Sequence, residues 1–459
     1  MSRMLILDNG AWTLKAGYTW EPKPSVQCPN AVIRSKTTSR IWDAADFHMC
    51  RDRSNLFIHS PFQKGYLVDW TIEHPVWQSV FEKLVVDPDE TKLVLSDPNM
   101  MVPALKQVHI RDEILFEDFE FSAVHKTSGP LCVGYPGIQV GDHVNDTMCT
   151  LVVDSGYSFT HVVPIINGEV IFSGVKRMTV GGKHLTNQLL DWITYRQMDM
   201  REETFLMNQL KEDVCYVAEN FEKDMANMNK PAQKKEMERD FYLPDNRTWF
   251  AGRVEGPDDR FRTPDHGYGD LQKITIGVER FAIPEILFSP SDIGINEMGI
   301  AETVNLSINS VQEGYRGRLL QNIILVGGNV KFPGFKERLL RDLKPMLPEY
   351  LQDVRIYMSP DPVSYSWESM SAVSQVIEPA TFVTRQEFYD EGHRICLKKF
   401  YNYTDAQARL ELPSSSIVAS SSHSTLNSQA TSVGYWTDET WSTPPGSHHS
   451  SPRPSPSNS

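Results

Sequence analysis

One short pattern occurs twice in this 459-residue chain, and it constrains the fold more than any other feature. Met4-Leu5-Ile6-Leu7 runs into Asp8-Asn9-Gly10, and Leu151-Val152-Val153 runs into Asp154-Ser155-Gly156. Each is an apolar run of the length of a buried strand, ended by an acid, a small polar residue and a glycine. A second apolar stretch follows each turn: Lys15-Ala16-Gly17-Tyr18 after the first, Phe159 to Pro164 after the second. Two strand–turn–strand units 146 residues apart predict two similar halves facing one another. A third run, Asn322-Ile323-Ile324-Leu325-Val326, meets Gly327-Gly328-Asn329 and then helical spacing from Phe335 to Leu343.

Turns of this kind have a definite chemistry. A glycine-bearing turn exposes backbone N–H groups that can hold phosphate oxygens, and a nearby Asp can bind the accompanying Mg²⁺ directly or through water. A single Asp-x-Gly carries little weight, because β-turns use it constantly. Two on facing halves, with Gly327-Gly328 able to approach a base or sugar closely, would clamp a polyphosphate. His161 could handle a proton, although a lone His in a strand is usually structural.

Between the turns, Leu185, Leu189, Trp192 and Ile193 after Gly181-Gly182-Lys183 give one helix. Phe205, Leu206, Leu210, Val214, Val217 and Phe221 predict a single long amphipathic helix from Glu202 to Asp224. Asn246 to Lys273 is polar, glycine-bearing and without an apolar period, so it reads as a long loop or insertion. From Pro413 onward the final 47 residues hold sixteen serines and six prolines, with Trp436 and Trp441 as the only large anchors. Such a segment cannot bury enough surface to offset its conformational entropy and is expected to be disordered.

Composition excludes several classes. The net charge of −14 argues against a nucleic-acid binder in its own right, since phosphate affinity comes from clustered Lys and Arg. No run approaches the 18 apolar residues that would span a bilayer, and Asp8 interrupts what would be a secretory leader. Cys28, Cys50, Cys132, Cys149, Cys215 and Cys396 make no metal-ligand spacing and are read as buried thiols of a reducing compartment.

These residues together resemble actin. Asp8-Asn9-Gly10 with Lys15-Ala16-Gly17, and Asp154-Ser155-Gly156 with Thr160-His161-Val162-Val163-Pro164, are similar to its two phosphate loops. Matches follow in actin order through Gly182-Lys183-His184-Leu185-Thr186, Lys211-Glu212-Asp213-Val214-Cys215-Tyr216-Val217, Glu279-Arg280-Phe281, Leu287-Phe288, and Gly327-Gly328 with Pro333-Gly334. The resemblance covers residues 1 to about 400. It implies the α/β fold of actin, Hsp70 and sugar kinases (ribonuclease H-like): two halves, each a mixed sheet flanked by helices, around a central nucleotide cleft. Residues 1–127 and 355–400 would form the first half and 128–354 the second, with the insertion 246–273 in it and a tail over 401–459. Cleft residues carried over from the family are Asp8, Gly10, Lys15, Asp154, Gly156, Gly182, Lys183, Lys211, Glu212, Gly327 and Gly328. Asp8 and Asp154 would hold the metal of Mg-ATP.

The departures from actin indicate a branch. Ala11 and Trp12 stand where actin's first loop has Ser and Gly, and Tyr157-Ser158 where its second has Asp-Gly. The position of the water-orienting Gln falls near Gly129, in a segment, Ser128 to Asp142, that does not read as helix. The DNase-binding loop reads as cut down between Arg34 and Pro61. Pro61 through Trp70, Asp154 through His161 and Pro284 through Gly299 look very like a nuclear branch of the actin-related proteins. Members of that branch are subunits of SWR-type ATP-dependent remodellers, which exchange histone 2A for its variant Z. The resemblance therefore implies a nuclear structural subunit without catalytic residues of its own, with the cytoplasm as a second compartment. Its partners would be the remodelling ATPase and its fellow subunits, histones through the complex, nucleosomal DNA at most indirectly, and no membrane. ATP with Mg²⁺ is the implied cofactor, while the bulk of Trp12 and Tyr157 beside the phosphates leaves a blocked cleft as the other reading. An actin-like ATPase, filament-forming or monomeric, is the alternative function.

Overall fold

The computed structural model describes residues 3–36, 40–50, 56–98, 108–145, 148–244, 251–254 and 272–401. Two mixed sheets form its frame, built to one plan. In the first, the order is Val383–Thr384, Ala123–Thr127, Thr91–Ser96, Arg3–Asn9, Thr13–Tyr18, Val26–Pro29. In the second it is Glu169–Val170, Thr160–Ile166, Cys149–Ser155, Ile323–Val326, Ile356–Met358, with Lys176–Met178 pairing beside Thr160–Ile166. Each Asp-x-Gly strand lies between a parallel neighbour and its antiparallel hairpin partner. Even the register repeats: Asp8 faces Lys15 across the first hairpin, and Asp154 faces His161 across the second. The central strands are apolar without alternation because both faces are covered, and Leu5, Ile6, Leu7, Leu151, Val152 and Val153 are fully buried.

Each half has its own core. Leu5, Leu7, Leu14, Trp77, Phe81, Leu115, Phe116 and Phe121 belong to one, and Leu151, Val153, Leu185, Leu189, Leu210, Phe241, Ile283 and Leu325 to the other. The inner faces of the sheets meet two helices lying between them. Trp367 and Met370 of Tyr365–Ser374 pack with Ile6 and Val94, while Tyr365 packs with Val152 and Ile324. Trp367 also donates its indole N–H to the carbonyl of Ile6 at 3.1 Å. The second of these helices, Gly129–Val133, packs Cys132 with the first set and Val133 with the other. The two helices are thus a floor shared by both halves.

Several sequence expectations are corrected. The stretch 202–224 is two helices, Thr204–Val214 and Phe221–Met228, because Cys215 turns extended. The N–H groups of Tyr216 and Val217 then bond to the carbonyls of Arg280 and Pro333, so tertiary partners take donors that a continuous helix would use. The segment after Ser128 does contain a helix, Gly129–Val133, started by the Ser128 hydroxyl accepting from the N–H of Leu131 at 3.1 Å. Between Arg34 and Pro61 the chain builds a small sheet from Val32–Ser35, Ile41–Trp42 and Leu56–His59 and a 3₁₀ turn over Ala44–Met49, with Ile33, Phe47 and Leu56 as its core. Strand Ile356–Met358 pairs in the second sheet, so the return to the first half comes after it and not at 355.

The insertion also keeps an ordered edge. Arg253–Val254 and Lys273–Ile276 flank Arg239–Tyr242 in a three-stranded sheet, and Gly252 lies so close to the Phe241 ring that a Cβ would stand 2.0 Å from it. Trp249, Phe250, Phe261 and Tyr268 lie outside the described residues, as does the tail from 402 onward. All six cysteines are buried thiols outside any disulfide. No helix among the described residues is long and apolar enough to cross a membrane.

Candidate nucleotide cleft

The two turns face each other across a cavity of about 670 Å³. Ten of the eleven residues singled out from the sequence line it: Asp8, Gly10, Lys15, Asp154, Gly156, Gly182, Lys211, Glu212, Gly327 and Gly328. Lys183 does not. It occupies the first turn of helix Gly182–Arg196 with an exposed side chain, and its N–H bonds to the carbonyl of Tyr157 at 2.7 Å. Gly129 and His161 also line the cavity.

The first turn is pinned from beneath. Asn9 donates its side-chain amide to Glu73 at 2.6 Å and accepts from the Trp77 indole at 3.2 Å and from Asn30 at 3.0 Å. Its backbone N–H donates to the hydroxyl of Ser96 at 2.7 Å. Asn30 also holds the carbonyl of Gly10, while its own N–H bonds to that of Trp12. Sequence reasoning missed Asn30 and Glu73, since an Asn and a helical Glu 21 and 64 residues downstream of Asn9 carry no local signal. Glu73 is wholly buried, and burial pushes its carboxyl up to about 7 against the pull of the Asn9, Asn30 and Trp77 donors.

The second turn is fixed by the glycines around it. Gly156 closes on the carbonyl of Phe159, and Gly182 donates to the carbonyl of Gly156, both at 3.0 Å. Gly327 adopts φ +94°, and a Cβ on it would stand 2.3 Å from the Ser155 carbonyl oxygen. Only glycine lets the third turn approach the second this closely. Asn329 then reaches over to donate to the Ser155 hydroxyl at 3.1 Å and the Gly156 carbonyl at 2.8 Å.

Charge decides what could enter. Lys15 sits 2.9 Å from Asp8. Asp154 is pushed up to about 7, first by burial and then by neighbouring Asp8, with Lys15 opposing. Lys211 is held near 8 by burial, and its ammonium donates to Asn208 at 2.8 Å, Thr186 at 2.9 Å and the Gly182 carbonyl at 3.3 Å. Its three donors are thus engaged inward. The cavity lining carries six carboxylates (Asp8, Asp97, Asp154, Glu212, Asp213, Asp361) against Lys15, Arg111, Lys211 and Lys331. Such a lining repels a bare polyphosphate and suits one that brings a divalent cation. Among the described residues no cluster of His, Cys, Asp and Glu would hold a metal unaided.

A duplicated sheet pair with an acid-and-glycine turn on each hairpin, meeting over a polar cleft, is the architecture of the actin class of folds. The actin family profile matches residues 2–401, and the chain belongs to the actin family. It is 34% identical to the Actin-related protein 6 of Drosophila melanogaster, over 84% of this chain and 97% of the relative. An actin-like protein of Caenorhabditis elegans is 36% identical over 86% and 92% of the two chains. The Actin-related protein 6 of Arabidopsis thaliana is 31% identical over 88% of this chain and the whole of the relative. The chain is accordingly an actin-related protein, and the family points to a nucleotide as the cleft's ligand.

Proposed function

We propose that this chain is a nuclear, non-catalytic subunit of a SWR-type remodelling complex, where it couples the remodelling ATPase to the exchange of histone 2A for its variant Z. The observation that carries the reading is its likeness, over most of its length, to proteins named Actin-related protein 6. The segments Pro61–Trp70, Asp154–His161 and Pro284–Gly299 match that branch. Contact with histones and DNA would run through neighbouring subunits, in keeping with a net charge of −14. The insertion 246–273 is additional to the family's fold, and its aromatic residues among charges suit a docking segment. Purification of the tagged chain from its native source should bring down a remodelling ATPase and histone variant Z in stable stoichiometry. Recovery of the chain alone, or with cytoskeletal filaments, would refute the reading.

The rival is an actin-like ATPase, favoured by the placing of Asp8, Lys15, Asp154 and His161 around one cavity. Hydrolysis needs a held water, a metal and charge stabilisation at the γ-phosphate. Gly129 brings no side chain to orient water, and Tyr157 stands where a carboxylate would serve the metal. Turnover of Mg-ATP by the purified chain should therefore equal that of an Asp154→Ala variant. A rate well above that control establishes the ATPase instead.

A further inference from the structure

Away from their shared floor, the two halves meet, among the described residues, through three sets of side chains beside the cleft. Trp12, at the tip of the first turn, stacks on Tyr157, at the tip of the second, with ring centroids 4.6 Å apart and planes at 28°. Trp12 also meets Phe205 at 5.2 Å, and Phe205 stacks on Phe47 of the first half at 5.0 Å. The four rings therefore alternate between halves. Beside them the hairpin of Phe62–Gln63 and Tyr66–Leu67 reaches across to Arg177 on strand Lys176–Met178. The Arg177 guanidinium donates to the Tyr66 hydroxyl at 2.8 Å and to the Lys64 carbonyl, and lies 5.0 Å from the Tyr66 ring and 4.8 Å from that of Phe159. Gly65, at φ +80°, presses so near Phe159 that a Cβ would stand 2.1 Å from the ring. Lys36 completes the set by pairing with Glu202.

We propose that these contacts are a latch by which the chain holds its own cleft shut without a ligand. In a two-halved fold a ligand in the cleft can supply the bonds that draw the halves together. Here side chains of the chain itself supply them, and two of those side chains, Trp12 and Tyr157, stand at the tips of the phosphate-loop turns. A ring contact beyond its buried area favours closure by about two- to tenfold, and a hydrogen bond to a charged group by about ten- to a hundredfold, so that even the low ends multiply to a large factor. The linked set favours the closed form on the order of a hundredfold. A nucleotide then enters or leaves only while the Trp12–Tyr157 stack and the Arg177 clasp are parted, and its binding adds little to closure. The latch is independent of the remodeller reading, since it concerns the isolated chain.

Hydrogen exchange of the full-length protein tests this directly. Peptides covering 62–67 and 157–161 should be protected without nucleotide, and Mg-ATP at millimolar concentration should change their rates by less than about twofold. A double variant, Tyr66→Phe with Phe205→Ala, should exchange about tenfold faster in those peptides, while the core strand Leu151–Val153 keeps its wild-type rate. The core strand distinguishes an opened latch from a chain that fails to fold. A single Tyr66→Phe variant, which loses only the hydroxyl, should show the same effect at smaller amplitude. A fluorescent adenine nucleotide with Mg²⁺ should dissociate about tenfold faster from the double variant, or bind to it alone. Fast exchange of both peptides in the nucleotide-free wild type, slowed by Mg-ATP, overturns the proposal, as does a double variant that exchanges like wild type.

Discussion

Replacing Glu73 by Gln should stabilise the protein, and increasingly so as the pH rises. The Glu73 side chain is 0% exposed beneath the first turn, and burial raises its carboxyl from 4.5 to about 7. Between those values the folded chain binds more protons than the unfolded one. The stability due to the protonated group is therefore full below about pH 4.5 and is lost as pH rises through 7. The difference amounts to about 3 kcal/mol at pH 8, most of which accrues between pH 5 and pH 8. Gln cannot ionise, so its stability lacks this slope. It also retains the oxygen that accepts from Asn9, and brings an amide group beside Asn30 where Glu73 Oε2 and Asn30 Oδ1 both lack partners. Equilibrium urea unfolding of both proteins at pH 5 and pH 8, followed by tryptophan fluorescence, gives the double difference and cancels every other titrating group. A gain of about 2–3 kcal/mol for E73Q between the two pH values is expected. A constant difference, or a destabilisation that deepens with pH, would show that Glu73 is ionised in the fold and refute the reasoning.

Gly327→Ala sets a Cβ 2.3 Å from a backbone oxygen at φ +94° and should cost more than about 3 kcal/mol. Gly328→Ala, with nothing within 4 Å, should stay within about 0.5 kcal/mol, both read by urea unfolding. Arg338 grips buried Glu285 with two N–H groups at 2.6 and 2.5 Å and donates to the Ala218 carbonyl at 2.9 Å. Arg338→Ala leaves that carboxylate buried alone and should cost about 3–5 kcal/mol, with Arg338→Lys recovering only part. Truncation after Tyr401 should leave the thermal midpoint within about a degree. Removing Tyr401 as well should lower it measurably, since its hydroxyl accepts from Arg111 at 2.9 Å and donates to Asp97 at 3.0 Å. That bonding places Tyr401 in the folded body and not in the tail that sequence alone began at 401.

Helix Gly182–Arg196 was legible because its apolar period and its opening glycines agree. The periodicity across 202–224 ran through a break, because Val217 and Phe221 keep helical spacing while their backbone turns to other partners. Spacing reports which side chains are buried, not which carbonyl receives each N–H. The helix at Gly129–Val133 lay hidden for the opposite reason. At five residues it is too short to show a period, and a single serine cap with the packing of Tyr365–Ser374 against it sustains it.

What the sequence determined by itself is the duplicated frame and the residues that line its cleft. Asp-x-Gly after a doubly buried strand is a local pattern, and the cavity-lining residues at the three glycine turns follow from it, whereas Lys211 and Glu212, in the last turn of Thr204–Val214, were legible only through the resemblance to actin. What tertiary structure alone decided is the company those residues keep. Glu73 and Asn30 under the first turn, and Phe205 and Phe47 beside Trp12, come from distant parts of the chain. Trp12 and Tyr157 were visible as bulk at the phosphate turns, but bulk in a sequence has no direction. It reads as obstruction until the fold brings the two rings within 4.6 Å of each other, and only then as a bond between the halves. Burial and contact between segments tens to hundreds of residues apart are set by the packing of whole sheets, and no local propensity encodes them.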